Sequence, residues 1–131
     1  YNLNAAHALK DCEDFAIAIP GGYLRHIDGS IMGDFSKDFI PGFTFDVSIL
    51  SCSGLDANGI IWDDNQWEVL NATAAIERSA KVILALDPSK FNKGGLDELG
   101  PISMVDCLVT SDDLDAKTKM FILAHSDLKL A

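Results

Sequence analysis

Asp87 and Lys90 follow directly on five consecutive apolar residues, Val82-Ile83-Leu84-Ala85-Leu86, which places an acid and an ammonium where a strand should emerge. An apolar run of that length, rich in β formers, reads as a strand buried on both faces, and such strands belong mostly to parallel sheets covered by helices. Pro88 bars its continuation. In open α/β sheets ligands bind at the carboxyl ends of the strands. Asp87 and Lys90 therefore suit a small anionic or polyhydroxy molecule, the Lys as a point charge and the Asp as a hydrogen-bond acceptor. The same residues equally suit a solvated turn capped by Asp or Ser.

Two further strand exits carry groups of this kind. Gly21 and Gly22 end the apolar residues 15–19, with Arg25 just beyond; paired glycines let backbone N–H groups approach an anion closely, and they also make plain tight turns. Ser51-Cys52-Ser53-Gly54-Leu55-Asp56 follows the strand read over residues 45–50 and leaves room for a ligand beside Ser53, Gly54 and Asp56, or simply turns a corner. Glu68 stands three residues after Asn65, so it can complete a capping box or face a ligand. His7, His26 and His125 fall into no catalytic spacing, and Cys12, Cys52 and Cys107 have neither the spacing of a zinc site nor that of a disulfide framework. The expectation is a binding site without catalytic residues, metal or cofactor.

The elements that must position these groups alternate between helix and strand. Residues 4–9 read as the end of a helix and 15–19 as a short strand. A short helix places Phe35 and Phe39 at i, i+4 in the core and ends at Pro41-Gly42. Residues 45–50 form the next strand. Residues 59–64 lead into a helix that begins at Asn65 and carries Val69, Ala72, Ile76 and Ala80 on one stripe. After the strand at 82–86 come a polar turn at 92–95 and a connection at 99–102. A strand at 104–110 then ends in Ser111-Asp112-Asp113, which can cap a helix carrying Leu114, Met120, Phe121 and Ala124, and residues 127–130 alternate like an edge strand.

Composition narrows the function classes. With 131 residues and 48% hydrophobic content the chain suits one globular domain with a substantial core. A net charge of −10 opposes the phosphate backbone of nucleic acid. No apolar run approaches the roughly 20 residues that span a bilayer, and the cysteine usage fits a reduced, cytoplasmic setting.

The order of the motifs carries a resemblance. Pro20-Gly21-Gly22-Tyr23-Leu24-Arg25, Gly33, Phe45-Asp46, Ser51-Cys52-Ser53-Gly54-Leu55-Asp56 with Gly59, Glu68, Leu86-Asp87-Pro88-Ser89-Lys90-Phe91 and Val109-Thr110-Ser111-Asp112 together resemble the carboxy-terminal sensor domain of DeoR-family transcriptional repressors. That resemblance implies an open, mostly parallel α/β sheet flanked by helices, of the fold shared by ribose-5-phosphate isomerase, glucosamine-6-phosphate deaminase and coenzyme A transferases. It implies a single sensor domain over 1–131 that binds a phosphorylated sugar or related metabolite, and DNA contact by a separate amino-terminal helix-turn-helix. That module and the sensor's first strand, with its Ser/Thr/Gly-rich loop, are expected upstream of Tyr1, and the uncovered sheet edge suggests a homo-oligomer. Residue by residue, Gly21 and Gly22 match the family's glycine pair. Gly54 and Asp56 match its Ser-Gly-Ile-Asp loop with Leu55 for Ile, and Asp87 with Lys90 matches Asp-Ser-Ser-Lys with Pro88 for the first Ser. Lys90 is then the phosphate contact, and Asp56, Glu68 or Asp87 accepts from sugar hydroxyls or orients Lys90. Asn71 stands where many members carry a basic residue. The alternatives are a sugar-phosphate isomerase or deaminase of the same fold, which would need a general base, and a plain oligomerisation platform.

Overall fold

In the computed structural model, which describes residues 1–14, 16–111, 113–125 and 129–130, the chain divides into two units, Tyr1–Phe43 and Thr44–Ala131. In the first unit, α1 (Leu3–Ala8) is capped by Asn2, whose side chain accepts the Ala5 N–H at 3.0 Å. An antiparallel hairpin, β1 (Tyr23–Leu24) and β2 (Ile31–Met32), follows, and α2 (Asp34–Lys37) leads into a tight 3-10 turn at Ile40–Gly42.

Two expectations fail in this unit. Residues 16–19 form no strand: they are exposed, and the unit's described ladder is taken up by the hairpin; Phe15 lies outside the described residues. Phe35 is 72% exposed rather than core, because α2 is a single turn. Phe39 instead packs on Phe43, with ring centroids 5.0 Å apart, and Ile40 is the buried residue of that stretch.

The second unit is built on a four-stranded parallel sheet in the order β3 (Ser48–Leu50), β6 (Val82–Ala85), β8 (Cys107–Val109), β9 (Lys129–Leu130). An antiparallel sheet of β4 (Gly54–Leu55), β5 (Ile60–Asp63) and β7 (Asp97–Pro101) accompanies it, with a bulge between Ile61 and Trp62. The architecture is α/β with a parallel sheet, as expected. The antiparallel sheet replaces the expected loop at 51–56, lead-in at 59–64 and connection at 99–102; its third strand, Asp-Glu-Leu-Gly-Pro, carries no strand signal and forms because β5 offers it a ladder.

Alternation along β6 buries Val82, Leu84 and Leu86 on one face and leaves Ile83 and Ala85 half-buried on the other, so only one face is fully covered. Leu84 and Leu108, opposite each other in register, are fully buried, as are Leu55 and Ile61 in the second sheet. Asp106 sets the register at the lower end, its carboxylate accepting the Val82 N–H at 2.7 Å.

Helix α3 (Gln66–Glu77) packs against β3, β5 and β7. Its N-cap is Asn65 as expected, but its buried residues are Asn71, Ala72 and Ala75; the helix stops before Ala80, which is exposed. Helix α4 (Ala116–Ala124) is capped by Asp115, whose side chain accepts the Thr118 N–H at 2.6 Å, rather than by the earlier serine and aspartates; Asp112 lies outside the described residues. Leu114 precedes the helix, Met120 is exposed, and Thr118 and Ile122 face inward. Residues 104–110 contribute strand only over β8, since Ile102–Met104 forms a 3-10 turn. The edge strand is present as β9, while Asp127 and Leu128 lie outside the described residues. Among the described residues no helix is long and apolar enough to cross a membrane.

Candidate functional site

Three of the expected site residues belong to the first unit. Gly22 has φ 153°, and a Cβ there would stand 2.4 Å from the Met32 carbonyl oxygen across the hairpin, so glycine is required by the strand pairing itself. Gly21 is less constrained, with Phe35 Cβ 3.8 Å from where its own Cβ would lie. Arg25 closes the hairpin loop. Its Nε donates to Asp28 Oδ1 at 2.9 Å, a second guanidinium nitrogen pairs with Asp28 Oδ2, and its backbone N–H reaches the Ser30 carbonyl at 2.8 Å. The Ser30 N–H and hydroxyl also donate to Asp28, each at 3.1 Å. The Arg25 hydrogen bond, helped by Ser30, outweighs partial burial and holds the Asp28 carboxyl at a pKa of about 2. The guanidinium expected on a ligand is thus a fork on Asp28, the bidentate geometry Arg favours.

The remaining six lie in the second unit, where the carboxyl ends of β3 and β6 stand side by side with Leu50 opposite Leu84. After β6 the Asp87 side chain accepts the Ser89 N–H at 2.9 Å and caps a 3-10 turn over Pro88–Lys90. Hydrogen bonds from Ser89 lead in holding the Asp87 carboxyl below its ordinary range, and the charges of Lys90 and Lys93 add to them. Phe91, buried, then bridges in parallel to Leu55, and the Lys93 N–H donates to the Leu55 carbonyl at 3.3 Å. A Cβ at Gly54 would come within 2.5 Å of the Lys93 carbonyl oxygen, so glycine there admits the 92–95 loop. Gly54, Asp87, Lys90 and Lys93 are in this way drawn into one neighbourhood.

Lys90 also acts electrostatically on Cys52, at the exit of β3. Burial pushes the Cys52 thiol up to about 11, against the Gly54 hydrogen bond, with the Asp63 charge raising it and the Lys90 charge lowering it. Cys52 donates to the Gly54 carbonyl at 3.3 Å. Among the described residues neither Lys90 nor Lys93 has a carboxylate within ion-pair distance, so two ammoniums face one Asp87. A phosphate monoester dianion could pair with these two ammoniums, in loops that also carry the carboxylates of Asp63, felt at Cys52, and Asp64, beside Gly95.

Of the other three, the Asp56 carboxylate and the Ser53 hydroxyl are occupied locally. Asp56 Oδ1 accepts the N–H groups of Asn58 and Ile60 at 2.8 and 2.9 Å, and Oδ2 accepts the Trp62 indole N–H at 3.1 Å; the Ile60 hydrogen bond leads in lowering its pKa. Asp56 is the organiser of the β4–β5 turn. Ser53 directs its hydroxyl to Asp63 Oδ1 at 3.4 Å and its N–H to the Trp62 carbonyl at 3.0 Å. Asp63 is raised by burial, against hydrogen bonds from the Asp64 and Asn65 N–H groups at 2.8 and 3.2 Å. The Asn65 N–H therefore serves Asp63, and the Asn65 side chain caps Trp67 N at 2.9 Å. Glu68, half-buried, occupies the first turn of α3 with its N–H on the Asn65 carbonyl at 3.0 Å.

Lys93 and Asp63 were not singled out by sequence reasoning. For Lys93 a local signal existed: a second Lys at i+3 from Lys90, followed by Gly94-Gly95. Asp63 had none, because its place beside Ser53 depends on the β4–β5 pairing.

Several known proteins are similar to most of this chain. The chain is 43% identical over 109 residues to the glycerol-3-phosphate regulon repressor of Escherichia coli (strain K12), covering 83% of this chain and 43% of that protein. It is 42% identical over 111 residues to the repressor of the same name from Haemophilus influenzae, covering 85% and 43%. It is 27% identical over 114 residues to the L-fucose operon activator of E. coli, covering 87% and 46%. The chain spans less than half the length of these relatives. Residues 1–112 match the DeoR C-terminal sensor domain, and the chain belongs to that family.

Proposed function

We propose that the chain is the effector-binding part of a DeoR-type transcriptional regulator, taking a short phosphorylated polyol or sugar at the carboxyl edge of the parallel sheet. The observation that carries this reading is the pair Lys90 and Lys93, uncompensated by ion pairs among the described residues and gathered with Asp87 beside Gly54. Lys90 holds the phosphate and Lys93 assists; Asp87 caps the turn that presents Lys90. Glycerol 3-phosphate is the first ligand to try, given the names of the relatives at 42–43% identity. The parallel sheet with its ligand at the strand exits fits the fold of ribose-5-phosphate isomerase and its relatives, used here for sensing rather than turnover. The effector alters the hold of a separate helix-turn-helix on its operator, in a cytoplasmic, oligomeric regulator whose sensor is one domain. Ser53, Asp56 and Glu68 shape the surrounding turns, and Gly21 and Gly22 shape the hairpin of the first unit.

Calorimetric titration with phosphorylated polyols and sugars, and with their unphosphorylated counterparts, tests this. Binding should require the phosphate, and Lys90→Ala should weaken it about 10- to 100-fold, the worth of a charge-assisted contact, without a change in melting temperature. Lys93→Ala should weaken it less. Equal binding of unphosphorylated ligands, or unchanged affinity in Lys90→Ala, would sink the proposal.

A further inference from the structure

Among the described residues, Asn92 alone of the non-glycines has a positive φ, 57°, in the left-handed region. Asn takes that conformation more readily than most residues with side chains, and its neighbours here require it. Phe91 before it is extended, buried and bridged in parallel to Leu55. Lys93 after it returns to the same residue, its N–H donating to the Leu55 carbonyl at 3.3 Å, while its own carbonyl oxygen lies 2.5 Å from where Gly54 would carry a Cβ. One left-handed residue lets both neighbours meet Leu55. The loop is next held against β5, where the Leu96 N–H donates to the Asp63 carbonyl at 3.1 Å. Asn92 Nδ2 also donates to Thr118 Oγ1 at 3.5 Å, the outer limit of a hydrogen bond. Thr118 is buried in the first turn of α4, which Asp115 caps, so a helix braces the turn at Asn92.

Asn92 stands between Lys90 and Lys93. Lys90 is placed without it, by the 3-10 turn that Asp87 caps and by its own N–H on the Asp87 carbonyl at 2.9 Å. Lys93 is not. In a chain that ran on extended, positions three apart would point to opposite sides and stand about 10 Å apart. The left-handed residue breaks that alternation, and the charges of both lysines act on Asp87. We propose that Asn92 is a positioning residue of the anion site and acts through Lys93: its left-handed turn, braced by Thr118, brings the second ammonium to the phosphate that Lys90 holds. This rests on the sensor reading given above. A residue unable to hold the turn leaves Lys90 in place and lets Lys93 move away, so losing Asn92 costs what losing Lys93 costs and no more.

Calorimetric titration of the purified protein with glycerol 3-phosphate, well below the melting temperature, tests this in Asn92→Ala, Asn92→Gly, Lys93→Ala and the double variant Asn92→Ala/Lys93→Ala. Asn92→Ala and Lys93→Ala should each weaken binding about three- to fivefold. The double variant should bind no more weakly than Lys93→Ala, because residues that act as one unit are not additive. Asn92→Gly, which adopts the left-handed conformation freely, should stay within about twofold of the wild type. Wild-type affinity in Asn92→Ala would overturn the proposal. So would a loss in the double variant equal to the product of the two single losses, which would make Asn92 independent of Lys93, or a loss in Asn92→Gly as large as that in Asn92→Ala, which would remove the backbone turn as the cause. Each of these leaves the sensor reading standing if Lys90→Ala weakens binding. Absence of wild-type binding to glycerol 3-phosphate and to every other phosphorylated polyol or sugar would overturn both.

Discussion

Asp28, Asp56, Asp87 and Asp115 share one occupation: each turns its carboxylate onto nearby backbone N–H groups and fixes a loop. Carboxylates that accept such bonds are held ionised, and their protonation is linked to unfolding. Asp28 is the clearest case, since its folded pKa of about 2 lies below its ordinary 3.8. Between those values the unfolded chain binds the extra proton, so the contribution of Asp28 is complete above pH 3.8 and is lost as the pH falls toward 2. Asp28→Asn should cost about 1–2 kcal/mol at neutral pH by loosening the Arg25 and Ser30 contacts, and should flatten part of the acid limb of the stability curve. Urea midpoints measured across that limb decide it: an acid limb as steep in the variant as in the wild type would assign the effect to other carboxylates. For the site this means that Arg25 can serve a ligand only by leaving Asp28.

At the scale of elements, the site depends on the 92–95 loop lying against β4. Gly54→Ala would drive a methyl into the Lys93 carbonyl, and backbone cannot swing aside as a side chain can. We expect a loss of about 1–3 kcal/mol together with weaker binding of phosphorylated ligands. Gly21→Ala, with 3.8 Å of room, should change stability by less than about 0.5 kcal/mol. Thermal melts of the two variants check the contrast, and a Gly54→Ala protein as stable as wild type would show that the two loops are not locked. What could be read from the chain follows the same division between local and distant causes. The strand at 82–85 announces itself by its apolar run, and α3 by Asn65 at its cap. Asp87 and Lys90 were legible because they directly follow that strand. The antiparallel sheet was not, because β7 becomes a strand only through its pairing with β5 more than thirty residues earlier, around a bulge. Nor was the exposure of Phe35, since spacing alone does not say whether a helix continues past one turn. The role of Asp56 was within reach in part: Asp-x-x-Gly is a turn signature, but its indole partner comes from the returning strand.

At the scale of the whole molecule, a net charge of −10 leaves this region without an electrostatic footprint for nucleic acid. The purified chain should leave the mobility of duplex DNA unchanged at about 100 mM salt, and a shift that fades with added salt would reveal a basic surface after all. Within that negative field Lys90 and Lys93 are the proposed contacts for a small anion. Of the two tryptophans, Trp62 occupies a telling place: its indole N–H is tied to Asp56, its carbonyl takes the Ser53 N–H, and its Cβ lies 2.9 Å from where Gly95 would carry a side chain. It touches both loops that the site brings together. Its emission is therefore an intrinsic optical gauge of how those loops are seated, and Trp67→Phe, which removes the other indole, would leave a single fluorophore through which effector uptake can be followed without any label.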